Sequence, residues 1–185
     1  MINKEKTDDF IRRAYQTACD HGFHDEEKSN AHWMMLVLSE IGEMVEADRK
    51  NRHADIARYE HDGEDTEAFE EHIKSSLEDE TADVCIRLFD FFGMKGAEPE
   101  LFYDGKGDWE RLFSKMSVCE QCYELVQGAT MIYNESGLDE ISEIGGSLVR
   151  FCFDFAEWHG FDLEWHIKEK MKYNESRARM HGKRY

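Results

Sequence analysis

Only one proline, Pro99, interrupts this chain of 185 residues. Its apolar residues recur at three- and four-residue intervals, within long stretches rich in Glu, Lys, Ala, Leu and Met. A chain with so few breakers and that periodicity is constrained toward helices. The length suits one domain with a sizeable core. With 41% hydrophobic and 35% charged residues it belongs among globular rather than disordered chains. The expected fold is all-α, a helical bundle forming a single domain over residues 1–185.

Helical segments are predicted over about 4–21, 30–50, 67–92, 109–135 and 138–159, with a final helix after Gly160. "HGFHDEEKSN" reads as a loop with Ser29 or Asn30 as a cap. The polar tract "NRHADIARYEHDGEDTEAFE" carries a turn at "HDGED". Glycines 93 and 96, Pro99 and "YDGKGD" mark a long connection, and "ESGLDE" another turn. "RLFDFFGMKG" echoes "RFCFDFAEWHG" when Asp90 is set against Asp154. The echo is open to two readings, a degenerate repeat at about 109–160 or the chance likeness of two amphipathic helices. In that register Asp83 falls on Ser147 and Glu80 on Ile144, so the second copy lacks the acidic pair.

The chain carries 23 basic against 41 acidic residues, a net charge of -18. Such a surface repels a nucleic-acid duplex, so no nucleic-acid partner is expected, and an anionic ligand would need metal ions to help hold it. The basic cluster is C-terminal, in "KEKMKYNESRARMHGKRY". Five cysteines and a polar N-terminus, "MINKEKTDDF", predict a reduced, cytoplasmic protein. No apolar run reaches the roughly 18 residues of a membrane span, so no membrane partner is expected. "CEQC" would place Cys119 and Cys122 on one helical face, as metal ligands or as ordinary buried thiols; no second pair completes a zinc set.

The stretch "LSEIGEMVEA" puts carboxylates where a core is expected. On a helical wheel Trp33, Leu36, Met44 and Ala47 all fall within about 40° of Glu40, with Glu43 about 60° away at the stripe's edge. "LEDETADVCIRLFDF" repeats the arrangement: Phe91, Val84 and Leu77 lie within about 60° of Glu80, and Asp83 sits at the edge of that face. Each helix thus offers an acidic pair spaced i, i+3. Burying four carboxylates costs several kcal/mol each unless something compensates. A hard divalent cation with oxygen ligands does so inside a bundle. The competing reading is a helical salt bridge between Asp83 and Arg87 at i+4, in a chain where E-x-x-E also recurs by chance at Glu67 and Glu70.

At these residues the sequence resembles the MazG-like family of all-α nucleoside triphosphate pyrophosphohydrolases, whose pattern is E-x-x-E followed a loop later by E-x-x-D. Here it reads Glu40-Ile-Gly-Glu43 and Glu80-Thr-Ala-Asp83. "HGFHDE" resembles the stretch preceding the first motif, and the C-terminal helix resembles the family's K-x-x-Y-N-x-x-R tail at Lys170, Tyr173, Asn174 and Arg177. The likeness covers about residues 20–92 and 138–185. It departs through an insertion at about 51–76 and an extra segment, predicted to hold further helices, at about 93–137.

The resemblance implies a fold of the MazG-like type, usually built as a homodimer or higher homo-oligomer. It implies Mg²⁺, with Mn²⁺ an alternative, held by Glu40, Glu43, Glu80 and Asp83. It implies hydrolysis of a (deoxy)nucleoside triphosphate between the α and β phosphates, giving a monophosphate and pyrophosphate. Glu43 is the choice for the catalytic base. Lys170, Asn174 and Arg177 share one helical face and would bind phosphate oxygens, with Tyr173 beside them; the competing reading is a basic helix end that caps carbonyls. Trp33 is a candidate for stacking on a base or a core residue, and His24 a candidate ribose or base contact or a solvated histidine. Two other functions stay open. One is a nucleotide-binding sensor with slow turnover. The other is a carboxylate-bridged metal protein of the ferritin-like kind, which uses Glu-x-x-His pairs that neither motif here provides.

Overall fold

The computed structural model describes residues 3–99, 109–134 and 136–179. Among them there are nine helices and no strand: α1 (Lys4–Asp20), α2 (Asn30–Arg49), α3 (Ile56–His61), α4 (Thr66–His72), α5 (Leu77–Lys95), α6 (Trp109–Phe113), α7 (Val118–Ala129), α8 (Leu138–His159) and α9 (Leu163–Glu175). None is long and apolar enough to cross a membrane.

Helix α5 is the axis of the bundle. It packs against α2, α1, α9 and α8, and residues 77–82 and 88–92 are buried without interruption. A helix surrounded this way loses the usual polar face. Its acids Glu78, Asp79 and Glu80 are therefore interior groups. Two glycines let neighbours approach α5. A Cβ on Gly93 would lie 2.5 Å from Cβ of Tyr15 on α1, and one on Gly145 of α8 would lie 2.4 Å from the ring of Phe92.

Two expected helices are each broken in two. The helix expected over 67–92 stops at His72 and restarts at Leu77, because the Ser76 side chain accepts from the Asp79 N–H and caps a new helix. The helix expected over 109–135 is split by a capping box, in which Ser117 and Glu120 satisfy each other's backbone N–H groups. The polar tract forms α3, capped by Asp55, ahead of the turn expected at "HDGED". The connection "YDGKGD" and the last residues of the basic tail, 180–185, lie outside the described residues.

The insertion at 51–76 is a folded unit with its own small core. Tyr59, Ala68, Phe69 and Ile73 pack with Tyr173 of α9, and Ala54, Ile56 and Trp165 join them. Its entry is pinned to α5: Glu78 accepts from the Ala54 N–H at 3.0 Å and pairs with His53 at 2.9 Å. In "CEQC" the thiols separate. Cys122 is buried, while Cys119 is exposed, because the edge of the buried face of α7 falls between them. The expected shared face is not formed.

Gly93→Ala tests the α1–α5 contact. Alanine gains about 1 kcal/mol of helix propensity. The new Cβ meets Tyr15 close to its backbone, with the Ile11 carbonyl 3.3 Å away, so neither helix yields cheaply and overpacking costs about 1–3 kcal/mol. The expected outcome is a melting temperature lowered by a few degrees; an unchanged or raised value would refute the packing argument.

Candidate functional site

A cavity of about 190 Å³ runs beside α5. Its lining includes Glu40 and Glu43 from α2, Glu80, Asp83, Arg87 and Asp90 from α5, and Lys170, Asn174 and Arg177 from α9. The apolar part of its wall includes Ala14, Ala18, Phe23 and Ile86. Gly22, at φ 81°, turns the chain out of α1 just ahead of Phe23.

The carboxylates converge. Glu40, Glu80 and Asp83 each offer an oxygen within 4.8 Å of the others, and they are the one group of His, Cys, Asp or Glu among the described residues with such spacing. Glu40 and Glu80 are buried and Asp83 is half-buried. Glu43 differs from expectation: it lines the cavity but is exposed. Its place about 60° from Glu40 on the wheel puts it past the edge of the buried stripe.

Two cations from the chain itself enter the cluster. Arg87 Nε donates to Glu40 Oε1 at 2.9 Å, so Arg87 crosses to α2 rather than forming the helical bridge to Asp83. Lys170 Nζ, almost fully buried, lies 2.6 Å from Asp79 Oδ2 and 2.7 Å from Asp83 Oδ2. Burial alone would lower the Lys170 pKa, but Asp83 and Asp79 outweigh it and hold the ammonium charged. Glu40 is pushed above the usual carboxylate range by burial and then by Asp83, with Arg87 opposing.

Glu80 is the group without a counterion. Its Oε2 is buried with no hydrogen-bond partner. Burial first, then Asp83, push its pKa up to about 9, with Lys170 only partly offsetting them. Near neutral pH Glu80 is therefore a neutral acid beside two ion pairs.

Three residues singled out from the sequence lie elsewhere. Trp33 is in the core and His24 stacks beside it, ring centroids 4.7 Å apart. His24 Nε2 meets Asp90 Oδ1 at 2.6 Å, so the histidine is neither solvated nor on the cavity wall. Tyr173 faces the small core, stacked on Phe69 at 4.6 Å. The reason is common to all three: each has an interior partner that the local sequence does not reveal. Reasoning from sequence also missed Asp79, Asp90, Lys74 and Ser75. Asp79 carried a usable signal, since it lies one turn before Asp83 in a run of acids flanked by Leu77 and Val84.

No protein-family model matches the chain, and neither a curated protein nor a solved structure matches it.

The state of Glu80 sets a pH dependence. Its folded pKa of about 9 lies above the ordinary 4.5, so the folded state holds a proton that the unfolded state has released between those values. Stability must then fall as pH rises through that window. His166, buried with neither ring nitrogen partnered, has its pKa pushed down to about 4 by burial. Its contribution runs the other way but is complete above about pH 7. Between pH 7 and 9, with chelator present, the melting temperature is expected to drop by several degrees, on the order of 1 kcal/mol per pH unit. Glu80→Gln is expected to flatten that slope, and an identical slope in the variant would exclude Glu80 as its source.

Proposed function

We propose that this chain is a divalent-cation-dependent nucleoside triphosphate pyrophosphohydrolase of the MazG-like type, converting a (deoxy)nucleoside triphosphate and water to a monophosphate and pyrophosphate. One observation carries the reading. Carboxylates from α2 and α5 meet in a single cavity whose wall also presents Lys170, Asn174 and Arg177 from α9. Apart from Tyr173, these are the acids and tail residues that the sequence likeness names, drawn from three helices far apart in the chain.

The donor set fits Mg²⁺ or Mn²⁺. Glu40, Glu80 and Asp83 supply hard oxygens within 4.8 Å of one another, the oxygen chemistry these ions take. The Glu80 Oε2 is a buried polar atom with no hydrogen-bond partner. A cation held there supplies Lewis acidity and neutralises charge on phosphate oxygens. The chain's own groups do the rest. Lys170 and Arg177 hold phosphate oxygens by charge-assisted hydrogen bonds. Glu43, exposed on the cavity wall, takes the proton of the attacking water. The apolar wall of Ala14, Ala18 and Phe23 excludes water from the organic part of the substrate. As in the family, a homo-oligomer is the proposed assembly.

A second reading is favoured by one specific feature. Two of the three converging carboxylates already have a cation, Arg87 on Glu40 and Lys170 on Asp83. A cation that must displace them binds weakly, which suits a nucleotide sensor with slow turnover. A ferritin-like centre is disfavoured because the cluster contains no histidine.

Pyrophosphate release across a nucleotide panel with Mg²⁺ separates the readings: turnover of at least one triphosphate is expected, and binding without turnover would favour the sensor. Asp83→Asn keeps the shape but removes the charge. The expected result is a rate lowered by about 100-fold or more, as loss of several kcal/mol of cation-mediated stabilisation requires, with an unchanged helical circular dichroism spectrum. Wild-type rates in Asp83→Asn would count against the role of this cluster.

A further inference from the structure

The inserted segment at 51–76 delivers two residues, Lys74 and Ser75, to the cavity wall. Both lie just before α5, and the lining continues along that helix through Glu80, Asp83, Arg87 and Asp90. At 1.5 Å per residue this is a run of roughly 20 Å. It has a polarity. Glu80 and Asp83 occupy the middle, and Asp90 lies at the far end. Arg87 sits over the Phe23 ring at 5.9 Å, so the aromatic part of the wall lies toward the α5 C-terminus. The other end, at the α5 N-terminus, is where Lys74 arrives and where the helix dipole favours an anion.

Around that end three cations gather on one ring. Lys74 lies 5.4 Å, Arg177 5.5 Å and Lys170 6.0 Å from the centroid of Tyr173. Acids meet two of them: Glu70 pairs with Lys74, and Asp79 and Asp83 pair with Lys170. Lys170 is buried and committed to Asp79 and Asp83. Lys74 is different. Its side chain is 37% exposed, and its Nζ donates to Tyr173 Oη at 3.1 Å and to Glu70 at 3.5 Å. Those two contacts fix the ammonium and leave one of its three N–H donors for a ligand.

The backbone supports the same assignment. Among the described residues, the non-glycine residues with positive φ are Asn51, Glu64 and Ser75, all within the insertion. Ser75, at φ 62°, is a strained choice for a serine. Its N–H donates to Asp79 Oδ2 at 2.9 Å, the same oxygen that meets Lys170. The conformation thus places Lys74 and steadies the Asp79–Lys170 pair together.

We propose that the insertion completes the cavity as a reader of the terminal phosphate, with Lys74 the specificity-determining side chain that selects triphosphates over diphosphates. This rests on the function proposed above. The nucleoside lies at the Phe23 end, the scissile phosphates lie beside the acids, and the last phosphate reaches Lys74 and Arg177. Tyr173 acts through Lys74, as a positioning residue.

The test measures binding of inorganic tripolyphosphate and pyrophosphate by calorimetry with Mg²⁺, and KM for matched nucleoside tri- and diphosphates. It uses the wild type, Lys74→Met, Lys74→Arg and Tyr173→Phe. Lys74→Met keeps the alkyl stem on the ring and removes the charge. It is expected to weaken tripolyphosphate binding by about 10-fold, the worth of one charge-assisted hydrogen bond. The preference for tri- over diphosphate is expected to fall by the same factor. Lys74→Arg should restore most of it, and Tyr173→Phe should show a smaller loss in the same direction. A wild type that discriminates the two probes, beside a Lys74→Met variant that discriminates equally well, overturns the inference and leaves the proposed function standing. A wild type that neither binds tripolyphosphate nor turns over a triphosphate overturns both.

Discussion

Lys170 holds the interior together. It reaches from α9 into the space between Asp79 and Asp83 and meets an oxygen of each at under 3 Å. Without it α5 would bury Asp79 with no cation at hand, at a cost of several kcal/mol. With it, α9 is fixed in rotation against α5, aided by Ile167 and Met171, which are buried beside Lys170 on the same helix. That rotation decides where Tyr173 points. Tyr173 in turn is the floor on which the inserted α3–α4 unit packs. A single buried ion triad thereby sets the position of two elements that touch the cavity.

The burial of α5 explains why acids sit in a helix core at all. A central helix has four neighbours and no outward face to which carboxylates can be relegated. The chain meets the cost in three separate ways. Asp79 and Asp83 share an ammonium, Glu40 has a guanidinium, and Glu80 is held neutral. Well-packed apolar side chains in place of a buried ion pair often give as much stability or more.

Periodicity exposed the main features of this arrangement and missed others for identifiable reasons. The helical wheel placed Glu40 and Glu80 on buried faces because neighbouring apolar residues define those faces locally. Glu43 lay at an edge, and an edge is decided by what packs there, which periodicity does not contain. The helix breaks at 73–76 and before Ser117 were written in the sequence as S-x-x-D and S-x-x-E, but weak capping signals inside strong helical tracts are easily overridden in reading. Arg87 was visible only as a partner for its own helix. Its contact with Glu40 depends on how α2 crosses α5. Lys74 was hidden for a further reason, since a lysine at the end of a polar insertion looks solvated until Tyr173, a hundred residues later, is placed beneath it.

Under the proposed function, the two ion pairs in the cluster bear on the order of events. To hold a divalent cation alone, Glu40 would part from Arg87, Asp83 from Lys170, and Glu80 from its proton. Each exchange leaves a buried group without its counterion, which is the costly configuration in a low-dielectric interior. A triphosphate arriving with the cation removes that cost. Its oxygens would accept the hydrogen bonds that Arg87 and Lys170 give up, leaving the carboxylates to hold the cation. Substrate and cation then stabilise each other's binding through side chains that change partners rather than through a change of fold. The same interior would make the site selective, because a ligand with too few anionic oxygens would strand Arg87 or the buried Lys170.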